Sequence, residues 1–276
     1  MAGLFDMSLL ESVLLNQFAT FVLVLARIGG LMMTAPIFGA KTAPVQVRGL
    51  LAIAVSLIVT PLFSSGTPAD VANMPVFGRF VLNEALVGLL LGLGVMILLS
   101  GIQLSGQIIS QLGGTAIAEA FDPNSEENVP VYAQMFYFLA LAMFVLVDGH
   151  RLLLAAVLDT YQWLPLGKAM FGESFVTALV TLLGQSFMLG IRAAAPAMIA
   201  LLLATLILGL IGRTIPQMNI LNIGFSVNAL LTVGCVFVSL GAIAWTFPEQ
   251  AIAAIDLLCE AVRDAAAIAD PALPTT

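Results

Sequence analysis

The chain has 276 residues, of which 61% are apolar and only 9% charged. An ordinary soluble domain carries roughly 25% charged residues. A composition this poor in charge cannot dress a water-facing surface, and a soluble enzyme is excluded as the default reading. The formal charge is −7, yet no basic partner follows from it, because the acidic residues are local. Asp256, Glu260, Asp264 and Asp270 lie in the tail, and Asp122, Glu126 and Glu127 lie in one short stretch. Nine Lys and Arg scattered over the chain make no nucleic-acid patch. Cys235 and Cys259 have no close spacing that would suggest a metal motif or redox pair.

Charge-free intervals cover residues 49–69, 85–118, 128–147, 174–191 and 214–248. Each reaches the roughly 18 to 20 residues a helix needs to cross the hydrocarbon layer. The first segment carries Asp6 and Glu11 instead of a basic leader, so the N-terminus is expected to be retained. The first apolar element spans about residues 13–38, interrupted by Arg27 and closed by Pro36 and Gly39. A loop with Lys41, Pro44 and Arg48 leads to a second, about 50–63, and a polar connection over 64–75 follows. The third begins near Phe80 and reaches about Leu112. Gly88 and Gly92 give it a G-x-x-x-G spacing that lets helix backbones approach closely.

After Gly113 and Gly114 comes a stretch over 115–130 that is rich in small residues, then acidic, then closed by prolines. A fourth helix is expected over about 132–158, with Asp148, His150 and Arg151 towards its end, and a loop over 159–173. The next element, 175–211, is too long for one simple span; Arg192 and Pro196 split it into two helices or kink one. A polar turn over 213–219 precedes the last strongly apolar element, 221–247. From Pro248 the pattern changes: Ile252, Ile255, Leu258, Cys259 and Val262 share one helical face, with Asp256, Glu260, Arg263 and Asp264 off it. The expected fold is all-α and polytopic, with about six long hydrophobic helices, some broken or kinked, plus a C-terminal amphipathic helix. The expected division is a hydrophobic helical domain over 1–247 and an amphipathic helix with a loose tail over 248–276. The Lys and Arg residues set no clear orientation.

An arginine near the centre of a membrane helix costs roughly 2.5 to 3.5 kcal/mol on insertion scales. Arg27 and Arg192 therefore need a partner or a wet path, and are expected to face protein. Such charges are either functional or contacts within and between subunits. Asp148, His150, Arg151 and Asp159 cluster at helical spacing. A transporter would use them as a proton relay and an intramembrane hydrolase would use the aspartates as a pair. Glu84 stands alone near the start of its helix, where a carboxylate suits the dipole. The single histidine excludes an H-E-x-x-H zinc site, and neither a G-x-S-x-G elbow nor a Walker A loop occurs. No metal, cofactor or catalytic residue is assigned.

Several patterns recur in order. P-I-F-G fills residues 36–39, followed by Pro44 and by Val47 and Arg48 ahead of L-L-A-I-A. F-D-P fills 121–123, V-P-V 129–131, D-G-H 148–150 and L-P-L-G 164–167. G-R-T-I-P-Q-M-N-I fills 212–220, with Gly224 and Phe225 following. Together these resemble the FliR family of flagellar export-gate proteins, related to the SctT-type subunits of injectisomes. Departures are His150 and Arg151 where relatives often carry paired histidines, and Ser226 where they carry proline.

The resemblance implies a subunit of a type III export gate in the bacterial inner membrane, at the flagellar basal body. It implies a helical ring with FliP-like and FliQ-like subunits, contacts with FlhB-like and FlhA-like proteins, surrounding lipid, and unfolded polypeptide as the transported substrate. It also points to an internal loop as pore plug, with Gly113, Gly114, Ile117, Phe121, Asp122 and Pro123 as its candidate residues. Arg27, Arg48, Asp148, His150, Arg192, Arg213, Pro216, Gln217 and Asn219 are the candidate assembly or intramembrane polar contacts. The rival reading is a secondary transporter of small solutes, with the Arg192 and Pro196 element as a discontinuous helix at its binding site.

Overall fold

The structure, a computed structural model, describes residues 7–36, 44–63, 73–115, 129–168, 172–215 and 220–269. Within them lie seven α-helices and one 3₁₀ turn, and no strand. In chain order they are α1 (Met7–Thr34), α2 (Val45–Val59), the turn (Thr60–Leu62), α3 (Met74–Gly113), α4 (Val131–Leu146), α5 (Gly149–Trp163), α6 (Glu173–Thr214) and α7 (Ile220–Ala269). Five are long and apolar enough to cross a membrane, or six if α4 and α5 together form one broken span. The chain is an all-helical polytopic membrane protein.

Helix boundaries follow local chemistry where it can be traced. Pro44 and Pro130 stand just before α2 and α4; proline there forfeits only an N–H that a first turn leaves unbonded. Gly114 closes α3 in the left-handed region, φ 77°, as a helix C-terminus favours.

Two sequence expectations are revised, and of the two alternatives left open for the element holding Arg192 and Pro196 the structure takes the single helix. The fourth apolar element is two helices, because Asp148 adopts φ 57° and ψ 24°. Its carbonyl then accepts from the N–H groups of Arg151 (2.8 Å) and Leu152 (3.1 Å), starting α5 afresh. The element holding Arg192 and Pro196 is one helix of 42 residues. Pro196 only removes the donor that would meet the Arg192 carbonyl. The last apolar element and the amphipathic tail are likewise one helix of 50 residues running through Pro248.

The chain falls into two compact units. The first comprises residues 1–96, 148–181 and 253–276, and the second residues 97–147 and 182–252. In the first, Leu23, Val24 and Ile28 of α1, Val87 and Leu91 of α3, and Leu153 and Val157 of α5 are buried. The end of α7 adds Ile255, Leu258, Val262 and Ala266 from its buried face, while Ile252, expected on that face, is exposed. In the second unit the buried set includes Leu99 and Ile102 of α3, Phe136 and Phe144 of α4, Ala194 and Leu201 of α6, and Ile243 and Phe247 of α7.

The G-x-x-x-G of α3 sets how closely α1 approaches. A Cβ on Gly88 would strike the Arg27 carbonyl oxygen, and one on Gly92 would strike the Thr34 hydroxyl. With the backbones this near, Thr34 Oγ1 donates across to the Leu89 carbonyl at 3.1 Å as well as to Gly30 at 3.2 Å. Lipid offers no hydrophobic drive for helix association, so such contacts supply it. Their consequence is a fixed register that carries Arg27 to Glu84.

Candidate functional site

The most polar feature inside the first unit is an ion pair between α1 and α3. Arg27 Nε donates to Glu84 Oε2 at 2.6 Å, and both side chains are fully inaccessible to solvent (0%). Arg27 reaches α5 as well: Nη1 donates to Thr160 Oγ1 at 2.9 Å and Nη2 to the Leu164 carbonyl at 3.1 Å. The guanidinium lies over the Tyr161 ring, 4.2 Å from its centroid. Glu84 Oε1 accepts from the Gly167 backbone N–H at 2.9 Å.

This network ties four pieces of chain together. Thr160 passes its own hydroxyl proton on to the Val157 carbonyl at 2.6 Å. The turn after α5 is held at both ends, Leu164 by the arginine and Gly167 by the carboxylate. Gly167 stands at φ 78°, a conformation costly for any residue with a Cβ. That gives the L-P-L-G run a physical reason: its glycine must turn left-handed to aim its N–H at Glu84. The pair is charged, buried and hydrogen-bonded on both sides, which is the condition under which an intramembrane ion pair is tolerated. Chemically the arrangement holds helices in place.

Arg27 thus faces protein, as expected, and its partner is the residue the sequence had assigned to a dipole. Glu84 lies in the third turn of α3, because that helix begins at Met74 and not near Phe80. Helix-dipole stabilisation fades beyond the first turn, so the arginine, not the dipole, accounts for the carboxylate.

The other candidate residues are dispersed. Arg48 is half-buried on α2. Asp148 and Arg151 form an exposed ion pair at 3.8 Å, their side chains 62% and 76% accessible, so this part of the cluster lies on the surface of the chain. His150 is half-buried and its Nδ1 has no hydrogen-bond partner among the described residues. Asp159 is exposed. Eleven positions along one helix put it about 16 Å from Asp148, too far for two carboxylates acting on one bond. Arg192 is exposed, on the side of α6 that also displays Met188, Ile199, Leu203, Leu206 and Leu210. Arg213 is exposed at the end of α6. Gly113 is buried at the end of α3, where an added Cβ would meet the Thr232 hydroxyl. Ile117, Phe121, Asp122, Pro123, Pro216, Gln217 and Asn219 lie outside the described residues. Among the described residues no group of three or more His, Cys, Asp or Glu could hold a metal ion.

Among the described residues, long apolar helices, close glycine packing and a buried ion pair mark an integral membrane protein. Residues 18–252 match the family model described as bacterial export proteins, family 1. The chain is 28% identical over 242 residues to the flagellar biosynthetic protein FliR of Caulobacter vibrioides, covering 86% of this chain and 96% of that one. It is 33% identical over 214 residues to FliR of Escherichia coli K12, covering 76% and 79%. With FliR of Bacillus subtilis it shares 28% over 232 residues, covering 82% and 89%. The chain belongs to the FliR family of bacterial export proteins.

Proposed function

We propose that this protein is a membrane subunit of the flagellar type III export gate. It forms, with FliP-like and FliQ-like subunits, the channel through which unfolded polypeptides leave the cell. FlhB-like and FlhA-like proteins contact the assembly, which sits in the inner membrane at the flagellar basal body. The match over residues 18–252 to bacterial export proteins carries this reading, and the flagellar names of the relatives direct it.

Two features of the chain support an assembled state. Only 17% of the most apolar stretch of α6 is buried, and the same share of α2, against 56% for α3. The exposed side of α6 is not plain lipid-facing surface, since Arg192 interrupts it. A guanidinium among leucines and isoleucines is disfavoured against hydrocarbon. A neighbouring subunit that offers a carboxylate or free carbonyls would satisfy it, together with the Arg192 carbonyl left without its helical donor by Pro196.

The loop that begins at Gly113 and Gly114 is the proposed plug, with Ile117 and Phe121 as its apolar bulk. Small and apolar walls discourage wetting when closed and bind no passing sequence strongly. Deleting residues 116–121 should raise ion conductance through the assembled complex in planar bilayers; unchanged conductance would remove the plug assignment.

A further inference from the structure

Two helices change the chemistry of their outer surface partway along. Before the break at Asp148, α4 carries no charge and displays Met135, Phe138, Val145 and Leu146. After it, α5 displays Arg151, Asp159 and Gln162. The same switch occurs in α7 at Pro248. Residues 220–247 hold no charge and display Leu230, Phe237, Val238 and Trp245. The end of the helix displays Asp256, Glu260, Arg263 and Asp264 instead, while its opposite face, with Ile255, Leu258 and Val262, is buried in the first unit. The two polar surfaces adjoin: Arg263 of α7 lies over the Trp163 ring at the end of α5, 4.4 Å from its centroid, and both stretches belong to that unit.

From this we infer that α5 and residues 253–267 of α7 form one layer outside the hydrocarbon, and that α4 and α5 together are not a sixth crossing. Among the described residues Asp159, Asp256, Glu260 and Asp264 have no ion pair. A single unpaired ionised group is costly against lipid, and this layer holds four exposed ones. Long basic side chains near the edge of the hydrocarbon escape by reaching outward; an aspartate is too short to do so. The helix that precedes the layer fits this placement. With 16 residues, α4 is about 24 Å long and falls short of the roughly 30 Å hydrocarbon core, so it does not cross alone. Asp148 and Pro248 then mark where these two stretches of chain leave lipid. The inference rests on the membrane class of the chain and not on its part in export.

The test uses the full chain with its accompanying subunits. In native membranes, a water-soluble carbodiimide with glycinamide should convert the Asp159 and Glu260 carboxyl groups of the unmodified chain to amides, read by peptide mass spectrometry. Modification of either only by lipid-soluble dicyclohexylcarbodiimide would overturn the inference. A second measurement places a nitroxide at Asp159→Cys or Glu260→Cys, in chains that also carry Cys235→Ser and Cys259→Ser, after reconstitution into liposomes. Oxygen concentrates in hydrocarbon and a nickel chelate in water, so their relative effects on the label report its surroundings. Relaxation by the chelate should at least equal that by oxygen at both positions. Stronger relaxation by oxygen at either one places that residue in lipid and overturns the inference.

Discussion

Replacing one member of the Arg27–Glu84 pair leaves the other charged in a site from which solvent is fully excluded. Breaking a buried pair this way costs about 3–5 kcal/mol. Arg27→Met should therefore cost that much, since Glu84 loses its counter-charge and the Leu164 carbonyl loses its donor. Glu84→Leu should cost about the same, plus roughly 1–3 kcal/mol for the orphaned Gly167 N–H. The double variant Arg27→Met/Glu84→Leu carries no buried charge. Its remaining cost is two unpaired backbone groups, so it should be more stable than the sum of the singles by at least about 2 kcal/mol. The assay is reversible unfolding in mixed micelles of rising dodecyl sulfate fraction, followed by the fluorescence of Trp163 and Trp245. Trp163 is a suitable reporter, lying 4.4 Å from the Arg263 guanidinium in the same unit. Single variants that each cost under about 0.5 kcal/mol and add without coupling would refute the clamp.

Two further comparisons use the same unfolding assay. Gly88→Ala puts a Cβ against the Arg27 carbonyl and should destabilise by about 1–3 kcal/mol. Gly29→Ala, with nothing within 4 Å of the new atom, should be neutral or gain up to about 1 kcal/mol; equal effects would deny the close α1–α3 approach. At the α4–α5 break, Asp148→Gly should stabilise by up to about 1 kcal/mol by relieving the left-handed backbone, and Asp148→Val should destabilise. The opposite order would mean that the chain does not turn there.

The membrane class was legible because long charge-free intervals suit hydrocarbon better than water, and a close helix approach because Gly88 and Gly92 sit at the spacing of one helix face; that α1 is the partner came only from the structure. Arg27 advertised its need for a partner. Glu84 did not advertise that it was the answer, since 57 positions separate them and the pairing depends on helix register, which periodicity alone does not set. Starting α3 at Phe80 instead of Met74 then lent the carboxylate a false role at the helix end. The break at Asp148 had a local sign, the D-G dipeptide, which marks turns; the apolar residues on both sides concealed it. Pro248 misled in the other direction, since the helix runs through it. Proline removes one hydrogen bond, but each neighbouring turn keeps its own, and in an apolar setting a helix has no better alternative than to continue. Arg192 was read as needing protein around it, and among the described residues it is exposed; a single sequence says nothing of what neighbouring subunits provide.

The account rests on α6 displaying its apolar side, with Arg192 at its middle, to sister subunits. The most direct measurement is the intact mass of the complex isolated from membranes on an affinity tag carried by this chain, for the natural sequence and for Arg192→Glu. The natural chain should emerge in fixed ratio with FliP-like and FliQ-like polypeptides, and Arg192→Glu should lose that ratio while its own unfolding transition stays put. A natural chain that emerges as a lone, stable monomer would contradict the account.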